Sequence, residues 1–292
     1  MENKFLNMDE VGYFQLQISD QLFKKFSQFI YDNLGIHMND SKKVMLQARL
    51  ISRIRQLKLK SFEDYFDYVT SKEGLQREMP NMVNAVTTNK TEFFREPKHF
   101  EYLTDVVLPE FYQHANRSKF KIWSAACSIG AEPYTLAMIL QEFAVSHPGF
   151  AYSILSTDIS TEVLDVARNA IYNFEMADSV PSAFRKKYLL KTKDPKKQKL
   201  IRIIPELRNK VKFKQLNLMA PSYSVVTDID VIFCRNVFIY FDRKTQNRVF
   251  NKLCRHLRPG GYIFMGHSET IRVKNPSIKC IKSTIHQKKT ES

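Results

Sequence analysis

From residue 120 onward, short apolar runs that read as strands alternate with segments of helical periodicity. Strand-like 120–126 precedes helical 132–143, and strand-like 152–157 precedes helical 161–169. Strand-like 211–216 and 230–234 are followed by helical 244–257, then by strand-like 262–265 after a Pro259-Gly260-Gly261 turn. This order constrains the fold strongly. It predicts a mostly parallel sheet with helices on both faces, entered through a helix at 99–114. The interval 172–209 breaks the alternation and exceeds what a βα connection needs. It reads as an inserted subdomain with a strand at 200–204.

Upstream the pattern is purely helical. Asp20 is a plausible cap for a first helix that Gly35 ends. Asp40 or Ser41 caps a second, with Val44, Ala48, Ile51 and Ile54 on one face. Arg49, Arg53, Gln56 and Lys60 recur on another face at spacings of four, three and four. Ser61 caps a third helix at 62–69, and a fourth runs over 74–86. The predicted organisation is a small all-helical domain, residues 1–86, followed by a doubly wound, Rossmann-like α/β domain, residues 87–292.

Composition narrows the function classes. With 43% hydrophobic residues in 292, the chain has enough apolar material for two cores. No apolar run reaches membrane-spanning length and residues 1–10 lack a signal-peptide core, so a cytoplasmic location without membrane insertion is expected. Cys127, Cys234, Cys254 and Cys280 are too dispersed for a zinc site or a disulfide framework, and no metal is expected. The net charge of +15 is concentrated in three stretches. Residues 41–60 carry seven Lys or Arg and no acid, and residues 185–214 carry thirteen against Asp194 and Glu206. An acidic partner is expected for 41–60. The tail, 274–292, reads as a solvated basic face.

Five constellations carry chemistry. Thr87-Thr88-Asn89-Lys90-Thr91-Glu92-Phe93-Phe94-Arg95-Glu96 mixes hydroxyls, an amide, an arginine and paired aromatics, which suits a pocket wall rather than a core or a plain surface loop. In 123–134 a strand passes through small residues into a helix bearing Glu132. A single Gly130 there does not meet the pyrophosphate-cradling pattern, and Glu132 points to a ligand with cationic or hydroxyl groups. Asp158 ends the next strand, where it can accept from ribose hydroxyls or cap a helix, a task Ser160 could share. Asn217 with Leu218 follows a strand, either to read an adenine edge or to make a turn. Arg235 and Asn236 top an apolar strand ahead of Tyr240, an unusual placement for packing alone. Asp242 reads as a helix cap, and His267 and Glu269 receive no chemistry.

In order, TTNKTEFFRE, AACSIGAEPY, STDIS, NL, CRNVFIYFD and RPGGYIFMGHSE resemble the CheR family, chemotaxis receptor methyltransferases that use S-adenosylmethionine. The resemblance runs from about residue 21 to 269. It implies a methyl donor, leaving as S-adenosylhomocysteine, held by Asn89, Thr91, Arg95, Glu132, Asp158, Asn217, Leu218, Arg235 and Asn236. In the family pattern Glu132 and Asp158 lie near the amino group and ribose, and Asn217 and Leu218 near adenine. Arg95 and Tyr240 line the reaction site as its catalytic residues. The implied reaction is methyl esterification of glutamate side chains on chemoreceptor helices, with Arg49, Arg53, Arg55 and Lys60 docking that partner. A monomer is expected, and nucleic acid is not an expected partner. Ala131 departs from the family's paired acids. In some members the subdomain equivalent to 172–209 binds a receptor tether; here 191–199 is lysine-rich and lacks Gly. Two rival readings are a methyltransferase acting on RNA, suggested by the charge, and a non-enzymatic adaptor that senses the donor. Retention of both Arg95 and Tyr240 argues against the adaptor.

Overall fold

The computed structural model describes residues 16–114, 119–192, 199–269 and 275–290. The chain divides into two units, Met1–Thr88 and Asn89–Ser292.

The first unit is helical. Helix α1 (Asp20–Leu34) buries Leu22, Phe23, Phe26, Ile30 and Leu34. Its cap is Ser19, whose hydroxyl accepts the Leu22 N–H, rather than the expected Asp20, and it ends at Gly35 with φ +71. A short 3₁₀ turn, Asp40–Lys42, precedes α2 (Lys43–Gln56), so neither Asp40 nor Ser41 caps that helix. The buried face of α2 is Leu46, Leu50 and Ile54. Of the expected stripe only Ile54 is buried, and Val44 is 77% exposed. Two apolar stripes satisfy helical spacing here, and tertiary packing selects between them. Helix α3 (Phe62–Thr70) is capped by Ser61 as expected. The single helix expected over 74–86 is two: α4 (Lys72–Arg77), capped by Ser71, and α5 (Met79–Val86), with Pro80 in its first turn.

Two of the four arginine and lysine side chains expected to dock a partner are used inside this unit. Arg53 donates Nε and a terminal nitrogen to the two oxygens of buried Glu78, each at 2.8 Å, and Tyr65 donates its hydroxyl to the same carboxylate at 3.0 Å. Arg49 donates to the Val86 and Thr87 carbonyls at the end of α5 and to the Thr88 hydroxyl, where a cation also complements the helix dipole. Arg55 and Lys60 are exposed.

The second unit opens with α6 (Pro97–Tyr102), which continues through a π turn (Leu103–Val107) into α7 (Leu108–His114). Then follow β1 (Phe120–Ala125), α8 (Ala131–Ser146), β2 (Tyr152–Asp158) and α9 (Thr161–Asn169). An inserted segment contributes β3 (Ile171–Asn173), α10 (Ser182–Tyr188), β4 (Leu189–Lys191) and β5 (Leu200–Ile203). Helix α11 (Pro205–Arg208) leads to β6 (Val211–Gln215), β7 (Ile229–Cys234), α12 (Arg243–His256), β8 (Leu257–Met265), β9 (Ile278–Lys282) and β10 (Ile285–Lys288).

The main sheet has the order β6-β2-β1-β7-β8-β10-β9. Its first five strands are parallel, and β10 runs antiparallel between β8 and β9. Alternate residues of a strand point to opposite faces. Phe120 and Ile122, Val231 and Phe233, and Tyr262 and Phe264 accordingly join one apolar cluster, with α8. Trp123 and Ala125, Ile232 and Cys234, and Ile263 and Met265 join the other, with α12. The insertion forms a separate antiparallel sheet, β3-β5-β4. The tail is not merely a solvated basic face, since it supplies β9 and β10, with Ile285 and His286 buried. Among the described residues no helix is long and apolar enough to cross a membrane.

Candidate active site

Parallel strands place the loops that follow β1, β2, β6, β7 and β8 at one edge of the sheet, where open α/β sheets bind ligands. After β1 the chain passes through left-handed backbone at Ala126 and Ser128, φ +59 and +51. The turned Ser128 N–H donates to Asp158 Oδ2 at 2.8 Å, and the Ser128 hydroxyl donates to the Asn89 carbonyl at 2.8 Å. Asp158 is 8% exposed, and its Oδ1 accepts the Ser160 N–H at 3.0 Å. Burial pushes its carboxyl up, and backbone N–H groups pull it down. The cap of α9 is Ser160, whose hydroxyl accepts the Val163 N–H, while Asp158 ties the loops together.

Glu132 stands in the first turn of α8 and accepts the Ser124 hydroxyl at 2.7 Å. Burial raises its pKa, against the pull of Arg235, whose NH1 lies 3.5 Å from Glu132 Oε2. Arg235, 6% exposed at the end of β7, also has NH2 3.3 Å from Glu96 Oε2 and donates NH2 to the Arg95 carbonyl. Its guanidinium lies over Phe100 and Phe233, 5.3 and 5.9 Å from the ring centres. Arg235 Nε and NH1 have no hydrogen-bond partner. One buried cation thus faces two carboxylates and keeps donor capacity for an anionic ligand group.

The Asn89–Glu96 segment lies against this network. Buried Phe93 packs edge-on to Tyr172, and the Phe94 N–H donates to Thr135 Oγ1 at 3.1 Å. Thr91 and Arg95 are half-buried, and Arg95 donates to the Lys90 carbonyl at 3.1 Å. Phe94, Glu96 and Asn236 adopt positive φ, like Ala126 and Ser128. Each such non-glycine residue costs about 1–3 kcal/mol and persists only when its surroundings enforce it. The enforcement is visible at Glu96, whose Oε1 accepts Asn236 Nδ2 at 3.1 Å and the His267 N–H at 3.2 Å. Glu269 adds to it, accepting the Phe238 N–H and the Gly266 N–H, both at 2.7 Å. Position 266 must be glycine, because a Cβ there would come within 2.7 Å of Asn236 Nδ2.

Glu96, His99 and His267 bring three possible metal-ligand atoms within 4.8 Å. The Arg235 guanidinium sits 3.3 Å from the same Glu96 oxygen, however, and a divalent cation would be pressed against that fixed charge. The cluster reads better as a charge network. Burial pushes His99 down to about 3, so its ring is neutral near pH 7, with Nε2 2.8 Å from Thr284 Oγ1.

Asn217 and Leu218 lie in the loop after β6, next to Asp158 through the Leu216 N–H to Asp158 carbonyl bond of 2.8 Å. Asn217 Oδ1 accepts the Met219 N–H at 2.8 Å, which makes a turn. Lys252 of α12, buried, donates Nζ to the Leu218 and Ala220 carbonyls at 2.7 and 2.5 Å. Tyr240 closes a 3₁₀ turn, Phe238–Tyr240, and packs against the cluster that includes α12. Asp242 caps α12, as expected.

The structure thus joins Asn89 and Asp158 through Ser128, and joins Glu132, Asn236 and the Arg95 carbonyl through Arg235 and Glu96, with Asn217 and Leu218 one loop from Asp158. Sequence reasoning missed Glu96 and Lys252, while Glu269, given no chemistry, serves as an acceptor for backbone N–H groups. Glu96 had a signal, standing beside Arg95 in the richest motif; buried Lys252 had none.

A family model described as "CheR methyltransferase, SAM binding domain" matches residues 89–287, and one described as "CheR methyltransferase, all-alpha domain" matches residues 21–87. A "Chemotaxis protein methyltransferase" of Escherichia coli is 39% identical over 257 residues, 87% of this chain and 86% of the relative. One of Borreliella burgdorferi is 37% identical, covering 88% and 90%, and "Chemotaxis protein methyltransferase 2" of Pseudomonas aeruginosa is 37% identical, covering 90% and 91%.

Proposed function

The chain belongs to the CheR methyltransferase family, and on that premise we propose that its S-adenosylmethionine-dependent methyl transfer acts on glutamate side chains of a chemoreceptor's cytoplasmic helices. The names of the relatives support a chemotaxis substrate. A zwitterionic amino-acid group fits the site, because half-buried Glu132 suits an ammonium, and Arg235 Nε and NH1, which make no hydrogen bond, suit a carboxylate. That pairing is the observation that carries the donor assignment. Asp158 would meet the ribose, and Asn217 and Leu218 the adenine. Asn89, Thr91 and Asn236 would line the rest, with Arg95 at the boundary between donor and acceptor.

Bound S-adenosylmethionine supplies a sulfonium methyl, which passes to a carboxylate oxygen as the carbon–sulfur bond breaks, giving a methyl ester and S-adenosylhomocysteine. A free glutamate titrates at about 4.3, so the acceptor is already ionised and no general base is needed. The protein's task is positioning and exclusion of water. Arg95 clamps the incoming carboxylate, since an arginine beside a sulfonium is tolerable only with an anion between them. Tyr240 packs on the donor or donates a hydrogen bond. The helical unit docks the receptor through exposed cations such as Arg55 and Lys60, while Arg49 and Arg53 keep that unit folded.

The test is transfer of labelled methyl from S-adenosylmethionine to a receptor cytoplasmic fragment, followed by mild alkali. Volatile methanol is expected from a carboxyl methyl ester. Alkali-stable label would place the methyl on another atom and sink the glutamate reading.

A further inference from the structure

Arg235 is contested. Its NH2 faces Glu96 Oε2 at 3.3 Å, and its NH1 faces Glu132 Oε2 at 3.5 Å. A lone arginine beside a lone carboxylate tends to pair bidentately, with both terminal nitrogens on one partner. Here the guanidinium is instead stretched between two carboxylates, over Phe100 and Phe233, with NH2 also bonded to the Arg95 carbonyl.

Glu96 is the better anchored competitor. Its other oxygen takes Asn236 Nδ2 and the His267 N–H, so it is fixed to the loops after β7 and β8 as well as to its own. Burial pushes its carboxyl up, but Arg235, Asn236 and His267 outweigh that and hold it below the ordinary range, so it is ionised at neutral pH. Glu132 is held by one hydroxyl, Ser124, and burial pushes it up despite Arg235.

We propose that Glu96 is a positioning residue whose charge holds Arg235 away from a closed pair with Glu132, leaving Glu132 open to the donor's ammonium group. This rests on the reading that Glu132 meets that ammonium. Without the Glu96 charge, Arg235 turns both terminal nitrogens to Glu132. The carboxylate is then quenched, and the amino-acid half of the donor loses its anchor. The adenosine half, at Asp158 and the 217–218 loop, is untouched.

The test compares two ligands on the full chain by calorimetry. S-adenosylhomocysteine carries the amino-acid group; 5′-methylthioadenosine has the same adenosine and sulfur but lacks that group. Glu96→Gln is expected to weaken S-adenosylhomocysteine by roughly tenfold or more, the scale of one charged hydrogen-bonding interaction, and to leave 5′-methylthioadenosine within about twofold. Glu132→Gln is the control for the underlying reading and should show the same selectivity. If Glu132→Gln is selective and Glu96→Gln is not, the role of Glu96 is overturned while the Glu132 reading stands. If Glu132→Gln is not selective, that reading fails and takes the proposal with it. Equal weakening of both ligands by Glu96→Gln would mean a merely structural role. Glu96→Asp keeps the charge on a shorter arm and should fall between wild type and Gln. Should the Gln variant not fold, selective loss in the Asp variant supports the proposal, and equal loss or no loss overturns it.

Discussion

Asp158 accepts the backbone N–H of Ser128 at 2.8 Å, binding the end of β2 to the strained loop after its neighbour β1. The carboxylate therefore fixes the loops at this edge of the sheet. Asp158→Ala leaves the Ser128 and Ser160 N–H groups without acceptors, at about 1–3 kcal/mol each. A lowered melting temperature is expected, with donor affinity down at least about tenfold. Asp158→Asn, which keeps one acceptor oxygen, should lie between. Thermal unfolding and titration with S-adenosylhomocysteine read both effects, and unchanged affinity in the Ala variant would remove Asp158 from the donor site.

Arg95→Ala should separate chemistry from donor binding. Turnover is expected to fall about a hundredfold or more, with donor affinity changed less than about threefold, because the clamp acts on the acceptor. Steady-state kinetics beside direct titration distinguish the two, and equal loss of both would contradict the clamp role.

The basic residues of the helical unit should divide into two classes. Arg53→Glu opposes two carboxylates where Glu78 is 2% exposed, and breaking such a pair costs about 3–5 kcal/mol. Urea denaturation should show it. Lys60→Glu should leave stability nearly unchanged and weaken receptor-fragment binding, with the wild-type interaction declining as salt rises. Salt-independent binding would argue against docking through this cation.

Lys252→Met should weaken donor binding from outside the pocket. The Leu218 and Ala220 carbonyls lose their buried donor, and the loop carrying Asn217 and Leu218 loosens. A roughly three- to tenfold loss in S-adenosylhomocysteine affinity is expected, part of what one charged hydrogen bond contributes. Unaltered affinity would mean that the loop holds without it.

Stability should fall on the acid side of neutrality partly through His99. Burial holds its folded-state pKa at about 3, below the 6.5 of a free ring, so the unfolded chain binds the extra proton between those values. The contribution is complete above pH 6.5 and is lost as pH falls towards 3. His99→Gln removes this titration and should flatten the decline over that window, measured as denaturant midpoints against pH. Buried His286, also shifted down, contributes in the same sense, so the decline will not vanish.

The sheet, the strand-end positions of Asp158 and Arg235, and Glu132 at the start of the helix after β1 were legible, because alternating strand and helix patterns fix where each parallel strand ends. The Glu96 hub was not, since Asn236 lies 140 residues away and His267 lies 171, and side-chain pairs of that separation leave no periodic trace. Helix α2 misled because it carries two apolar stripes, and only packing shows that Leu46 and Leu50 face inward. Strands β9 and β10 were hidden by their lysines and short length, which resemble a solvated tail. The break between α4 and α5 was available in Pro80.

Strand β10, residues Ile285–Lys288, lies inside the main sheet, between β8 and β9. During synthesis the hydrogen-bonding edge of β8 must therefore wait, open, until residue 288 has emerged. A chain interrupted near residue 275 would carry every candidate site residue yet expose that bare edge, a template for pairing with other chains. It would also lack Thr284, the hydroxyl at His99. Folding, rather than a missing site residue, is what a truncated product would then lack.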